Sequence, residues 1–131
     1  MFGRHSKNIN GLPDDLYDFL YEADKRYIKA FETRSIGILK EYFTRDCCYA
    51  ISRWILLEAA SRYFSDEKFR TTTWTIVSQT SQQIVLEKDV VYKDIHLTHS
   101  RSMKVSDDYK ETWQVDVTPE EYFVSSVTLI T

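Results

Sequence analysis

Near Phe69 the hydrophobic pattern changes period. Before it, apolar residues recur every three to four positions; after it they alternate, and threonine, valine and isoleucine become frequent. Helical periodicity followed by strand periodicity predicts an α+β domain, with helices laid on one face of an antiparallel sheet. At 131 residues the chain fits one domain. A domain of this size buries about two-thirds of its unfolded surface, enough for a core without staples.

The first twelve residues read as a loose lead, and residues 13–131 as the domain. Pro13 suits the first turn of a helix, and Asp14 and Asp15 complement its positive end. Leu16, Phe19, Leu20, Ala23, Tyr27, Ile28 and Phe31 then form one apolar stripe, with Asp18, Glu22, Lys25 and Arg26 off it, which predicts a helix over about 13–32. Thr33 or Ser35 can cap a second, shorter helix carrying Ile36, Leu39, Tyr42 and Phe43. Thr44 offers a third cap, for a helix carrying Cys48, Ile51, Ile55, Ala59 and Tyr63, with Trp54 and Arg62 toward its flank. Ser65-Asp66-Glu67-Lys68 closes the helical half.

Four strands are expected beyond Phe69, in a single sheet. Thr71–Ser78 places Trp74 and Ile76 on one face, and Gln79–Gln83 is a polar turn. Ile84, Leu86, Val90 and Tyr92 share one parity, whereas Ile95 and Leu97 take the other, so a bulge near Lys93 is expected. Ser106-Asp107-Asp108 marks a turn, and Tyr109, Trp113, Val115 and Val117 alternate with polar neighbours. Thr118-Pro119-Glu120-Glu121 reads as a turn, and Tyr122–Ile130 as the last strand.

Composition excludes several function classes. The part of the chain through Arg70 holds 12 basic and 11 acidic residues and the remainder 5 and 9; with no clustered basic stripe, nucleic acid is not an expected partner. Glycines occur only at positions 3, 11 and 37, which rules out the glycine-rich phosphate cradles of nucleotide-binding loops. Cys47 and Cys48 are adjacent and have no other thiol to pair with, so reduced thiols and a cytoplasmic setting are expected. No apolar run approaches the roughly 20 residues of a membrane helix, and residues 1–11 lack the apolar segment of a signal peptide. A membrane anchor would have to lie upstream.

Four groups of residues are candidates for chemistry. Glu111 shares the apolar parity of Tyr109 and Trp113, and an inward carboxylate must be paired, hydrogen-bonded or set at a cavity. Buried there it could serve as a general acid or base; alternatively it reaches water or pairs with Arg53 or Arg62. Lys88 interrupts the Leu86–Val90 stripe and is a further possible partner. His96 and His99 stand three apart, which on a strand points them to opposite faces, so two solvated histidines are expected and no metal or cofactor site. Cys47, in the first turn of the third helix, would have its pKa lowered by the dipole, but no oriented base is evident; packing of Cys48 and an indifferent Cys47 are favoured. Trp54, Trp74, Tyr92, Tyr109 and Trp113 are the aromatic candidates for lining a ligand pocket, although aromatic groups more often fill a core.

A long helix leading through Arg34 into Leu39-Lys40-Glu41-Tyr42-Phe43-Thr44, and the closing Tyr109-Lys110-Glu111-Thr112-Trp113-Gln114-Val115 with Tyr122-Phe123-Val124, carry a family resemblance. With the element order, they resemble the nuclear transport factor 2-like superfamily, nearest to its mitochondrial import-motor scaffold branch. Type IV secretion assembly domains share the same order. The resemblance implies a cone whose curved sheet wraps a pocket closed by the helices. Scaffold-type members carry a membrane-binding helical lead, and this chain's short polar lead departs from that. The family includes isomerases, dehydratases, carriers and scaffolds, so it carries no single function over. Three functions are expected: a non-catalytic binding or scaffold domain for a small apolar ligand or a protein segment, homodimeric through the outer face of its sheet; an isomerase or hydrolyase using Glu111; or an assembly component of a secretion machine.

Overall fold

The computed structural model describes residues 11–57, 67–96, 102–104 and 107–130. Among the described residues it is an α+β fold with two α-helices, α1 (Asp14–Thr33) and α2 (Arg45–Leu57). Six strands follow: β1 (Arg70–Gln79), β2 (Gln83–Tyr92), β3 (Asp94–His96), β4 (Ser102–Lys104), β5 (Tyr109–Val117) and β6 (Tyr122–Ile130). The four long strands form one antiparallel sheet in the order β1-β2-β5-β6, and β3 and β4 form a separate two-stranded ribbon.

The first helix forms as its pattern predicts. Asp14 and Asp15 occupy its first turn, and its buried side carries Leu16, Leu20, Ala23, Tyr27, Ile28 and Phe31. It ends at Arg34, which adopts a left-handed conformation (φ 57°) and returns its N–H to the Ala30 carbonyl, a common way to satisfy the last carbonyls. From there the Arg34 guanidinium donates to the Ile55 carbonyl at 3.0 Å, tying the end of α1 to the end of α2.

Two helices replace the expected three. The segment carrying Ile36 and Leu39 makes only a single 3₁₀ turn, Gly37–Leu39. Gly37 weakens helix propagation in a segment this short. Phe43 is instead drawn into a parallel bridge with Val124, with the Val124 N–H on the Tyr42 carbonyl (2.8 Å) and the Thr44 N–H on the Val124 carbonyl (2.9 Å). Thr44 then caps α2 as expected, its hydroxyl accepting the Cys47 N–H at 3.2 Å. The expected continuation of that helix through Ala59, Arg62 and Tyr63, and most of Ser65–Lys68, lies outside the described residues.

The strand half differs from expectation in its sheet count and in where its bulges fall. No bulge at Lys93 carries β2 onward; β2 stops at Tyr92, and the parity of Ile95 belongs to the new ribbon β3–β4. The C-terminal half is therefore two sheets rather than one. Bulges occur instead between Ile76 and Ser78 and between Gln114 and Val115, where an extra residue bends the strand. The β5–β6 turn is closed as expected by Thr118, whose N–H reaches the Glu121 carbonyl at 2.9 Å.

One core fills the space between α1, α2 and the four-stranded sheet. Its largest fully buried side chains include Trp113, Tyr27, Tyr92 and Phe31, with Leu16, Leu20, Ile28, Ile51 and Leu86 between them. Trp113 sits at its centre, edge-on to Tyr27 (5.4 Å), Phe43 (5.7 Å) and Trp74 (5.0 Å). Leu20 is fully enclosed, so Leu20→Ala is expected to lower the unfolding free energy by about 2–5 kcal/mol, read by urea denaturation.

Candidate functional site

The inward face of β2 runs Ile84, Leu86, Lys88, Val90, Tyr92, and all five are buried. Register aligns Lys88 with Trp74 of β1 on one side and Glu111 of β5 on the other. Strand periodicity thus puts a cation and an anion side by side on the face that meets the helices. Helix α1 crosses this row and lays Asp24 and Tyr27 on it, three residues apart and so on one side of the helix.

The resulting cluster is closed. Lys88 and Glu111 are 0% exposed and Asp24 is 4% exposed. The Lys88 ammonium donates to Glu111 Oε1 (3.2 Å), to the Tyr109 hydroxyl (3.2 Å) and to Asp24 Oδ1. Glu111 Oε1 also accepts from the Trp113 indole N–H at 3.1 Å, and Oε2 accepts from the Tyr27 hydroxyl at 2.7 Å. Four aromatic rings surround the ammonium, with centroids 5.0 Å (Tyr27), 5.1 Å (Tyr109), 5.2 Å (Trp113) and 6.0 Å (Trp74) from Nζ. Burying an ion costs several kcal/mol, and here the cost is offset by charge-assisted hydrogen bonds on all three ammonium protons and by ring faces.

Of the residues singled out from the sequence, Glu111, Trp74, Tyr109 and Trp113 come together around Lys88. Tyr92 is buried beside them, its ring 6.3 Å from that of Tyr109. Trp54 lies on α2, half-buried against the core and outside the cluster. Glu111 pairs with Lys88 rather than with Arg53; Arg62 lies outside the described residues. Asp24 and the hydroxyl of Tyr27 were missed. The signal for Asp24 was present, since it stands four residues after Leu20 and four before Ile28, on the apolar stripe itself.

The cysteines reverse their expected roles. Cys47 is buried and Cys48 half-buried, and burial pushes the Cys47 thiol up to about 12, against the expected lowering. Helix-dipole stabilisation of a thiolate acts at an exposed first turn, and desolvation outweighs it here. His96 falls in β3 and His99 outside the described residues. Among the described residues no group of three or more metal-ligating side chains forms, and no helix is long and apolar enough to cross a membrane.

A cleft of about 120 Å³ opens between α1 and β1 and reaches this cluster from outside. Tyr17, Tyr21, Thr72 and Trp74 line it, with Asp24 among its lining residues and Lys25, Glu67 and Arg70 also contributing. The Tyr21 hydroxyl donates to both oxygens of Glu67 (2.8 and 2.9 Å). Burial and this carboxylate hold Tyr21 up to about 12, and burial with Asp18 and Glu67 raises Tyr17. Both tyrosines are therefore neutral donors at physiological pH. A second, larger and open groove lies at the β5–β6 turn, where Phe19, Tyr42 and Tyr122 stand among Asp15, Glu41, Glu120 and Glu121. Two of its acids are engaged, Asp15 by the Tyr122 hydroxyl (3.0 Å) and Glu41 by Arg26 (3.1 Å).

Comparison of the chain with family models, with curated proteins and with solved structures gives no match.

Removing the ammonium leaves two carboxylates facing each other in the core. Lys88→Met is expected to cost about 3–5 kcal/mol, and adding Asp24→Asn and Glu111→Gln to it should recover much of that loss. Denaturant melts of the single and triple variants provide the check.

Proposed function

We propose that this chain is a non-catalytic binding domain that holds a small, largely apolar ligand in the cleft between α1 and β1. One observation carries the reading: the sole inward-facing acid of β5, Glu111, is fully enclosed and hydrogen-bonded at both oxygens, while the neighbouring cleft has aromatic walls and an open mouth. A proton shuttle must touch its substrate, and no substrate touches a carboxylate sealed on every side. Aromatic walls with a few placed polar groups are the kind of lining that ligand sites have. The element order of two helices followed by a four-stranded antiparallel sheet supports a place for the chain within the nuclear transport factor 2-like superfamily. The lack of any third thiol supports a reducing, cytoplasmic setting.

The same reading takes the outer face of the sheet as the contact with a second copy. Thr71, Thr75, Val77 and Val91 are exposed there, with Thr71 paired directly to Val91 across β1 and β2. Sedimentation velocity should give a dimer for the wild type and a monomer for Val91→Lys, with unchanged secondary structure; a monomeric wild type would contradict the dimer.

The cleft itself is tested by amide and indole chemical shifts on adding small apolar fragments such as indole or 1-butanol. Shifts should concentrate at Tyr21, Thr72 and the Trp74 indole and vanish in Thr72→Phe, which fills the space. Shifts scattered over the surface, or none at these residues, would count against it.

A further inference from the structure

We infer that the cleft between α1 and β1 takes a small molecule bearing a primary ammonium group, with that group seated on Asp24; this rests on the cleft being the binding site proposed above.

Asp24 is the charged member of the cluster that lines the cleft. It is 4% exposed and lines the cleft, whereas Lys88 and Glu111 are 0% exposed. Its Oδ1 is taken by Lys88, and among the described residues its Oδ2 has no hydrogen-bond partner. A buried carboxylate oxygen without a donor is costly, and a donor arriving through the cleft would relieve that cost.

The walls suit the same chemistry. Tyr17, Tyr21 and Trp74 present aromatic surface, and ring faces attract ammonium groups. The fold already uses this, with the Lys25 ammonium 5.7 Å from the Tyr21 ring centroid. Glu67 also lines the cleft, but it is exposed at the rim, where water screens its charge, whereas Asp24 is buried. At about 120 Å³ the space equals roughly four water volumes, which limits the ligand to a short chain. Lys25 and Arg70 also line the cleft, so a carboxylate on the same ligand would find cations there. Two sources therefore share the ammonium chemistry, a plain alkylamine and a short α-amino acid.

The test uses the full chain and four matched probes: propylamine, 2-aminobutyrate, butyrate and 1-butanol, with affinities read from the shifts of Asp24, Thr72 and the Trp74 indole. The two ammonium compounds are expected to bind about tenfold or more tighter than butyrate and butanol, a difference of about 1.4 kcal/mol. Asp24→Asn should abolish that preference, and Thr72→Phe, which leaves the Asp24–Lys88 pair in place, should abolish binding of all four. Tighter binding of 2-aminobutyrate than of propylamine supports an amino acid as the source, and the reverse order supports a plain amine. Butanol binding as tightly as the amines, or a preference that survives Asp24→Asn, overturns the ammonium assignment while leaving the cleft a binding site. Failure of all four probes to perturb these residues overturns both.

Discussion

The structure depends on a lysine that is in the wrong place for a lysine. Lys88 sits at the centre of the inward face of β2, fully enclosed, where leucine or valine would ordinarily stand. Its ammonium can be tolerated there only if every proton finds an acceptor, and the three acceptors come from two elements: Glu111 and Tyr109 on β5, and Asp24 on α1. Apolar packing tolerates small slips; this contact does not. A two-residue shift of β2 against β5, or a one-turn slide of α1, would strand a buried charge at a cost of several kcal/mol. The cluster thus sets the register of helix against sheet.

Its surroundings follow from that constraint. Hydrogen bonds from Tyr27 and Trp113 saturate Glu111, so two of the largest core residues are fixed by polar contacts as well as by packing. Their rings meet edge-to-face at 5.4 Å, and Trp74 meets Trp113 at 5.0 Å, the tilted geometry that aromatic pairs favour. These rings occupy the space between α1 and the sheet, and the cleft lies at the boundary of α1 and β1. Asp24 and Trp74 belong to both regions.

The architecture was legible because period is a direct consequence of backbone geometry. The α1 stripe, the Thr44 cap, and the limits of β5 and β6 all follow from side-chain spacing and capping chemistry. The missing middle helix was not legible, because the choice between a short helix and the Phe43–Val124 bridge rests on a contact between residues about eighty positions apart. The β3–β4 ribbon was missed for a related reason. A parity switch at Lys93 looks the same whether a strand bulges or ends. In the site, Glu111 and Lys88 were visible as polar residues breaking an apolar alternation. Asp24 was overlooked because an acid within a helix is ordinarily solvated. Cys47 misled because the helix dipole is a local effect and burial is not.

The central claim is that Lys88 is a charged, fully sequestered ammonium shared by Asp24, Glu111 and Tyr109. The most direct measurement is NMR of protein labelled with ¹⁵N at the lysine side-chain nitrogen. The account predicts one NH₃⁺ resonance that exchanges slowly with water and shows cross-relaxation to the ring protons of Tyr27 and Trp113. A Lys88 signal exchanging as fast as those of the surface lysines, or lacking contact with those rings, would contradict it.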